Sequence, residues 1–225
     1  MIELKNVTKY FDTKSSRKYL LRDVTMTLPN VNIGILGRNG AGKSTLMRML
    51  GKIEFPNRGT IKSNNTFSWP LGVSGGFVGN LTGRANVKFV CNLYGKSIEE
   101  TREIIEYVKE FSELKEYFDM PIKTYSTGMK GRLGFGLSLA FDFDYMIIDE
   151  TLSTGDARFR KKAKDRLMKK IENCNIILVS HDMGTIESMC DIGLLLHDSK
   201  LHYFDDVKDG VKAYNDINKK GKLSK

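Results

Sequence analysis

The chain is poor in the residues that mark secreted, collagenous or membrane-spanning proteins. Among 225 residues it has three cysteines, four prolines and one tryptophan. Cys91, Cys174 and Cys190 are odd in number and widely spaced. They form neither a disulfide framework nor a metal-ligand pattern, and they suggest a reducing compartment. Cys190 lies in an apolar helical stretch and reads as core. No apolar run approaches the length of a membrane span. The start, Met1-Ile2-Glu3-Leu4-Lys5, is not built like a signal peptide. There is no internal repeat and no Asn-Lys-x-Asp guanine motif. Negative charge is also short: 36 Lys and Arg stand against 27 Asp and Glu, a formal net charge of +9. A basic surface suits nucleic acid, anionic lipid or an acidic partner. The positives are scattered, with runs at Lys161-Lys162 and from Lys219 to Lys225, and no stacking aromatics interleave them, so no nucleic acid is expected as partner. What remains is 40% hydrophobic and 28% charged. That composition fits a soluble globular α/β domain, or one such domain with a small inserted lobe.

What is present is concentrated first in Gly34 to Thr45. Gly37, four residues, then Gly42-Lys43-Ser44 make the G-x-x-x-x-G-K-[ST] phosphate-binding loop. Its context agrees. Val31, Ile33 and Ile35 alternate into a short buried strand, and Leu46, Met47, Met49 and Leu50 supply the apolar face of a helix that begins inside the loop. Glycines at 37, 40 and 42 let successive N–H groups point into one concavity, at the positive end of the following helix. Lys43 adds a mobile charge for the β- and γ-phosphates. Ser44 is placed to ligate Mg²⁺, and Thr45 to donate to the α-phosphate. Arg38, Asn39 and Ala41 complete the loop.

Along the chain, residues 2 to 7 and Tyr19 to Leu28 read as strands joined by a polar hairpin, Asp12 to Lys18. In the second, Val24, Met26 and Leu28 face one side and Thr25 and Thr27 the other. Pro56 to Gly59 is a turn, with short strands at Thr60-Ile61 and Thr66 to Trp69. From about 80 to 125 the pattern is helical. It includes Asn86 to Tyr94, a helix capped by the Ser97 and Glu100 box, and a further stretch from Lys109 to Phe118. We read it as an inserted helical lobe. Strands return at Tyr145 to Ile148 and Ile176 to Val179, alternating with helices at Ala157 to Ile171 and Met183 to Cys190. Asp191 to Phe204 resembles a hairpin, Val207 to Asn215 a last helix, and 216 to 225 a frayed tail.

Two further stretches carry chemistry. Tyr145 to Ile148 ends in Asp149-Glu150. In phosphate-loop proteins an acid at such a strand end holds Mg²⁺, which suits Asp149. Glu150 points the other way and is placed to orient or deprotonate an attacking water. About twenty residues earlier, Ser126 caps a glycine-rich helix whose N-terminus suits phosphate.

In this order and spacing the sequence resembles the ABC-transporter ATPase family. Gly37 to Thr45 matches its Walker A loop. Ser126-Thr127-Gly128-Met129 is similar to its signature, Asp149 and Glu150 to Walker B and the catalytic glutamate, Ser153-Thr154-Gly155-Asp156 to the D-loop, and His181 to the switch histidine. Trp69-Pro70-Leu71-Gly72, Gly75-Gly76-Phe77, Leu81-Thr82-Gly83-Arg84 and Gly155-Asp156-Ala157-Arg158-Phe159 resemble the ATPase subunit of bacterial capsular-polysaccharide exporters. O-antigen and teichoic-acid exporters share part of this pattern. A soluble ABC ATPase acting on ribosomes or nucleic acid is the more distant alternative. Some O-antigen exporters add a C-terminal glycan-binding domain, for which a chain ending at Lys225 leaves no room.

The resemblance implies a fold: a P-loop NTPase core of mainly parallel sheet with an N-terminal antiparallel β subdomain and an inserted helical lobe, together one domain over 1–225. It implies ATP and Mg²⁺ as cofactors. It implies a homodimer that sandwiches two ATP molecules, with the loop at Gly37 to Thr45 of one copy facing Ser126 and Gly128 of the other. It implies a polytopic membrane permease as partner, touching Val78 to Arg84 and the lobe, and a peripheral location on the cytoplasmic face of the inner membrane. The transported substrate would be a glycolipid-linked polysaccharide. Glu150 and His181 would be catalytic, Ser44 and Asp149 metal-binding, and Asp156 part of the nucleotide interface. An aromatic near the N-terminus should stack on adenine, Phe11 or alternatively Tyr10. Two departures stand out. Thr127 replaces the first signature glycine, and Val78 replaces the Q-loop glutamine, for which Asn80 is the nearby carboxamide.

Overall fold

The computed structural model describes residues 1–13, 16–71, 76–149 and 156–220. The chain folds into two compact units. The first comprises Met1–Pro70, Phe143–Glu150 and Cys174–Lys225; the second comprises Leu71–Asp142 and Thr151–Asn173.

The first unit holds two sheets. Strands β1 (Ile2–Asp12), β2 (Arg17–Leu28) and β4 (Arg58–Ser63) form an antiparallel sheet in the order β2-β1-β4. In β1 the buried positions change phase, from Ile2 and Leu4 to Val7 and Lys9. The register shifts between Leu4 and Val7, and Asn6 there has φ +50. This bulge is fixed by side chains: Asn6 Nδ2 donates to Asp23 Oδ1 (3.1 Å), and the Asn6 N–H donates to Thr25 Oγ1 (2.9 Å). One inserted residue thus turns the second half of the strand over.

The second sheet runs β5-β6-β3-β7-β8, from β5 (Tyr145–Asp149), β6 (Asn175–Val179), β3 (Ile33–Leu36), β7 (Ile192–His197) and β8 (Lys200–Phe204). The first four are parallel and β8 is antiparallel. β3 lies in the middle, and all four of its residues are buried, as a strand covered on both faces requires. Helix α1 (Lys43–Leu50) buries Leu46, Met47, Met49 and Leu50 in one core with Leu4, Leu21 and Leu28 of the first sheet and Ile35, Ile147 and Ile177 of the second. Thr66 to Trp69 contributes only a bridge, Phe67 beside Tyr145. Helix α6 covers Met183–Met189. The last helix, α7, runs Val207–Lys220, through residues where the sequence suggested a frayed end. It is held because Ile217 is buried in line with Gly210, on the same broad buried face as Val207 and Val211.

The second unit is helical: α2 (Gly83–Leu93), α3 (Ile98–Ser112), two 3₁₀ turns (Lys115–Asp119 and Ile122–Thr124), α4 (Thr127–Ala140) and α5 (Ala157–Ile171). α2 begins at Gly83, earlier than Asn86, because Thr82 caps it by accepting from the Ala85 N–H (3.0 Å). The capping box of α3 forms as expected: the Glu100 N–H donates to Ser97 Oγ, and the Ser97 N–H to Glu100 Oε2. The helix expected from Lys109 to Phe118 instead breaks at Glu113, which is left-handed (φ +55). There the Glu113 carboxylate meets Lys162 (2.8 Å) and Arg132 (3.7 Å). The core is aromatic. Phe111 lies parallel to Phe135 (6.0 Å) and meets Phe159 edge-on (5.4 Å).

Candidate nucleotide-binding site

In the first unit the register brings the expected stations to one line. Val179 of β6 pairs with Ile35 of β3 on one side and with Asp149 of β5 on the other. The carboxyl ends of three adjacent strands are therefore level. Gly37 lies two residues beyond Ile35, and His181 two beyond Val179. Asp149 itself ends β5. With strands about 4.8 Å apart, all three stations fall within about 10 Å across the sheet. Ligands of open α/β sheets bind at this edge.

The loop Gly37 to Thr45 has the conformation its glycines permit. Gly40 and Gly42 are left-handed, with φ +75 and +101. A Cβ on Gly42 would be strained at this φ and would displace the Leu20 side chain, whose Cδ1 stands 1.6 Å from its place. A Cβ on Gly40 would meet nothing within 4 Å, so that side of the loop is open to a ligand. Arg38 and Asn39 are exposed, and Ala41 is half-buried. Lys43 Nζ donates to the Gly37 carbonyl (2.9 Å) and weakly to that of Arg38 (3.4 Å), which holds the ammonium over the loop. Ser44 is half-buried, and the buried Thr45 accepts from Arg48 Nη2 through Oγ1 (3.2 Å), leaving its own proton to donate. The open cradle, its charge and the helix start fit a polyphosphate. Ser44 and Asp149 supply the hard oxygen donors that a Mg²⁺ ion prefers.

His181 is exposed between two fixed neighbours. The Asp182 N–H donates to Ser180 Oγ (3.0 Å), and Asp182 Oδ1 caps α6 by accepting from the Gly184 N–H (3.1 Å). On β1, Phe11 is 44% exposed, with Lys9 Nζ 5.3 Å from its ring centre. Tyr10 packs on Tyr19 (5.5 Å) and under the Arg17 guanidinium (4.6 Å). Glu150 and the D-loop residues Ser153 to Gly155 lie outside the described residues, as do Gly72 and Gly75.

The other stations belong to the second unit. Ser126 caps α4, its Oγ accepting from the Met129 N–H (3.2 Å). Thr127 is the first helical residue of α4 and has no positive φ, so threonine is accommodated where the family has glycine. A Cβ on Gly128 would have only Ser126 Oγ within 4 Å, at 3.9 Å. Asp156 caps α5 through the Phe159 N–H (2.9 Å), and its other oxygen accepts from Arg132 Nη2 of α4 (2.8 Å). The Phe159 N–H, aided by the Arg132 charge, holds the Asp156 carboxyl below the usual carboxylate range against the opposing effect of desolvation. The signature helix and the D-loop aspartate are thus tied together, by an arginine that motif spacing does not reveal.

Asn86 was also invisible to motif reading. It is 1% exposed. Its Oδ1 accepts from the Val78 N–H (2.8 Å), and its Nδ2 donates to the carbonyls of Val78 (3.2 Å) and Thr82 (2.9 Å). The loop is held from the other side by the Lys123 N–H on the Gly79 carbonyl and the Ile122 N–H on that of Leu81, both 2.9 Å. Val78 and Asn80 both project from this clamped turn as exposed side chains. The signal in the sequence was an asparagine beside apolar Val87, one turn into a helix.

The comparisons with known proteins agree with this geometry. The family model described as ABC transporter matches residues 21–153. The polysialic acid transport ATP-binding protein KpsT of Escherichia coli is 47% identical over 216 residues, covering 95% of this chain and 96% of KpsT. The capsule polysaccharide export ATP-binding protein CtrD of Neisseria meningitidis serogroup B is 41% identical, covering 96% of this chain and all of CtrD. Among solved structures, the dimeric post-hydrolysis state of the ATP-binding cassette MJ0796 bound to ADP and Pi superposes with a TM-score of 0.73 over 92% of this chain and 99% of that one. At 20% identity, that likeness speaks for the fold. With its phosphate loop, strand-end acid and signature helix in place, the chain belongs to the ABC transporter family and is one of its ATPases.

Proposed function

We propose that this chain is the ATPase subunit of an exporter of capsular polysaccharide. The observation that carries the reading is the match to KpsT and CtrD over almost the whole of both chains, in proteins named for polysialic acid transport and capsule polysaccharide export. Two copies bind two ATP molecules, each between the loop Gly37 to Thr45 of one copy and Ser126, Gly128 and Asp156 of the other. Lys43 and the loop N–H groups hold the phosphates. Phe11 stacks on adenine, since its ring is more exposed than that of Tyr10, which already has Tyr19 and Arg17 against it. Ser44 and Asp149 hold Mg²⁺, which would supply charge neutralisation at the phosphates. Glu150 orients the attacking water and His181 contacts the γ-phosphate.

A permease docks on the helical unit. Leu81, Phe89 and Leu93, with Ala85, recur every four residues along α2 and its approach. The first three are 38%, 45% and 67% exposed, an apolar stripe fit to receive a partner helix. No helix among the described residues is long and apolar enough to cross a membrane, and the chain works as a peripheral subunit at the cytoplasmic face of the inner membrane.

Deleting the gene in its host should remove surface polysaccharide and leave polymer inside the cell. Affinity purification from detergent extracts should retain a polytopic membrane protein. Normal surface polysaccharide in the deletion strain would overturn the export reading.

A further inference from the structure

Helix α5 is where the charge of this protein sits. Arg158, Arg160, Lys161, Lys162, Lys164, Arg166, Lys169 and Lys170 stand against Asp165 alone, so fifteen residues carry a net +7 where the whole chain carries +9. Lys162 and Lys170 are neutralised by Glu113 and Asp142. Among the described residues, none of the other six cations has a carboxylate within 4 Å, and all six are exposed. Arg158, Lys161, Lys162, Arg166 and Lys169, with the one acid Asp165, line a shallow cleft of about 400 Å³.

Only part of this distribution serves the helix itself: Lys169 and Lys170 complement the dipole in its last turn, and Asp156 caps its start. Like charges three and four positions apart repel, as in Arg158 with Lys161 and Lys162 with Arg166. The first turn holds Arg158 and Arg160 and no acid, opposite to what the helix dipole favours.

We infer that this face of α5 docks an anionic polysaccharide, the polymer the exporter moves; the inference rests on the export reading above. Charge complementarity favours a polyanion. A bilayer is the poorer fit, because the apolar face of α5, Phe159, Ala163 and Leu167, is buried and unavailable for insertion. α5 is also separated from the proposed permease face in the packing sequence: α2 lies on α3, α3 on α4, and α4 on α5. Nucleic acid is the poorer fit because no exposed aromatic on α5 offers a stacking platform. A polymer of acidic sugars suits the spacing. Its carboxylates repeat at each sugar, and Lys161, Arg166 and Lys169 present successive cations about 7.5 and about 4.5 Å apart along the helix axis. The Escherichia coli relative is named for polysialic acid, a polymer of a sugar carboxylic acid.

The test uses the purified full chain and fluorescently labelled polysialic acid, followed by anisotropy at low and high salt. Dextran serves as the neutral polymer, and phosphatidylglycerol vesicles and single-stranded DNA as the other polyanions. Wild type should bind polysialic acid, more weakly as salt rises, and should not bind dextran. The triple variant K161E/R166E/K169E should lose at least tenfold in affinity, and the neutral K161Q/R166Q/K169Q less, both with unchanged basal ATPase. K62E/K200E, on the first unit, should bind like wild type. If the charge-reversed protein fails to fold, the neutral variant and the salt dependence decide. No binding at low salt, equal loss in K62E/K200E, or α5-dependent binding to vesicles or DNA in place of the polysaccharide would overturn the inference. Loss of surface polysaccharide in the deletion strain without binding here removes this inference alone. Retained surface polysaccharide removes the export reading first.

Discussion

Lys43 donates from Nζ to the Gly37 carbonyl at 2.9 Å, which suits the phosphate-binding role proposed for it. Lys43→Ala removes that charge without touching the core, so ATP hydrolysis should fall at least about a hundredfold while the circular dichroism and melting temperature stay as in wild type. Turnover near normal would contradict the phosphate-loop assignment. Val78 poses a sharper question, because valine has neither donor nor acceptor where the family carries a carboxamide. Both its backbone groups are held by Asn86, and Gly79 is tied to Lys123, so the turn that carries Asn80 is fixed within the helical unit. We expect Asn80→Ala to be silent and Val78→Gln to raise turnover several-fold, measured with and without the permease. A loss of tenfold or more in Asn80→Ala would show that Asn80 serves in place of the missing glutamine. Asn86→Ala should act differently from both. It leaves the partly buried Val78 N–H without its acceptor and removes a buried amide that clamps the turn, costing about 1–3 kcal/mol of stability, read from the urea midpoint.

At the scale of the element, α3 is the one whose start the sequence specified most fully. Ser97 and Glu100 satisfy two N–H groups of its first turn, and Ser97→Ala should cost about 1 kcal/mol. The Lys96 ammonium (2.8 Å), joined by the Ser97 N–H, depresses the Glu100 carboxyl to about 2. A depressed carboxyl stabilises the fold above its unfolded pKa, about 4.5, and that contribution fades as pH falls toward 2. The difference in urea midpoint between wild type and Glu100→Gln should therefore be full at pH 6 and shrink steadily below pH 4.5. A difference that holds at pH 2.5 would mean the ionised form is not what the box uses.

On the scale of the whole molecule, the stations divide between the two units. The phosphate loop, Asp149 and His181 lie on the first, and Ser126, Gly128 and Asp156 on the second. Each unit thus carries one half of the residues that the proposed sandwich would bring together from two copies. If Glu150 activates water, Glu150→Gln should stall hydrolysis and trap the closed pair. With saturating ATP and Mg²⁺ the variant should sediment as a dimer and wild type mostly as a monomer. A monomeric variant under those conditions would count against the paired site.

The sequence by itself determined the chemistry of this protein and most of its elements. Gly37 to Ser44, Asp149 and the run through Ser126 to Met129 are local signals, because a phosphate loop, a strand-end acid and a helix cap are each built from neighbours in the chain. The α3 capping box was legible for the same reason. Tertiary structure decided what depends on partners distant in sequence. The level alignment of Ile35, Val179 and Asp149 is a property of strand pairing, which no local pattern encodes. The break at Glu113 comes with contacts to Lys162 and Arg132, and the persistence of α7 to Lys220 from the burial of Ile217. Asn86 reads as an ordinary helical residue until the loop at Val78 is folded over it. The basic face of α5 lay between the two, since its charges were plain in the sequence but which of them meet a carboxylate among the described residues, as Lys162 and Lys170 do, was not. Periodicity records which face of an element is apolar. Which residues meet across the fold is set by packing between elements.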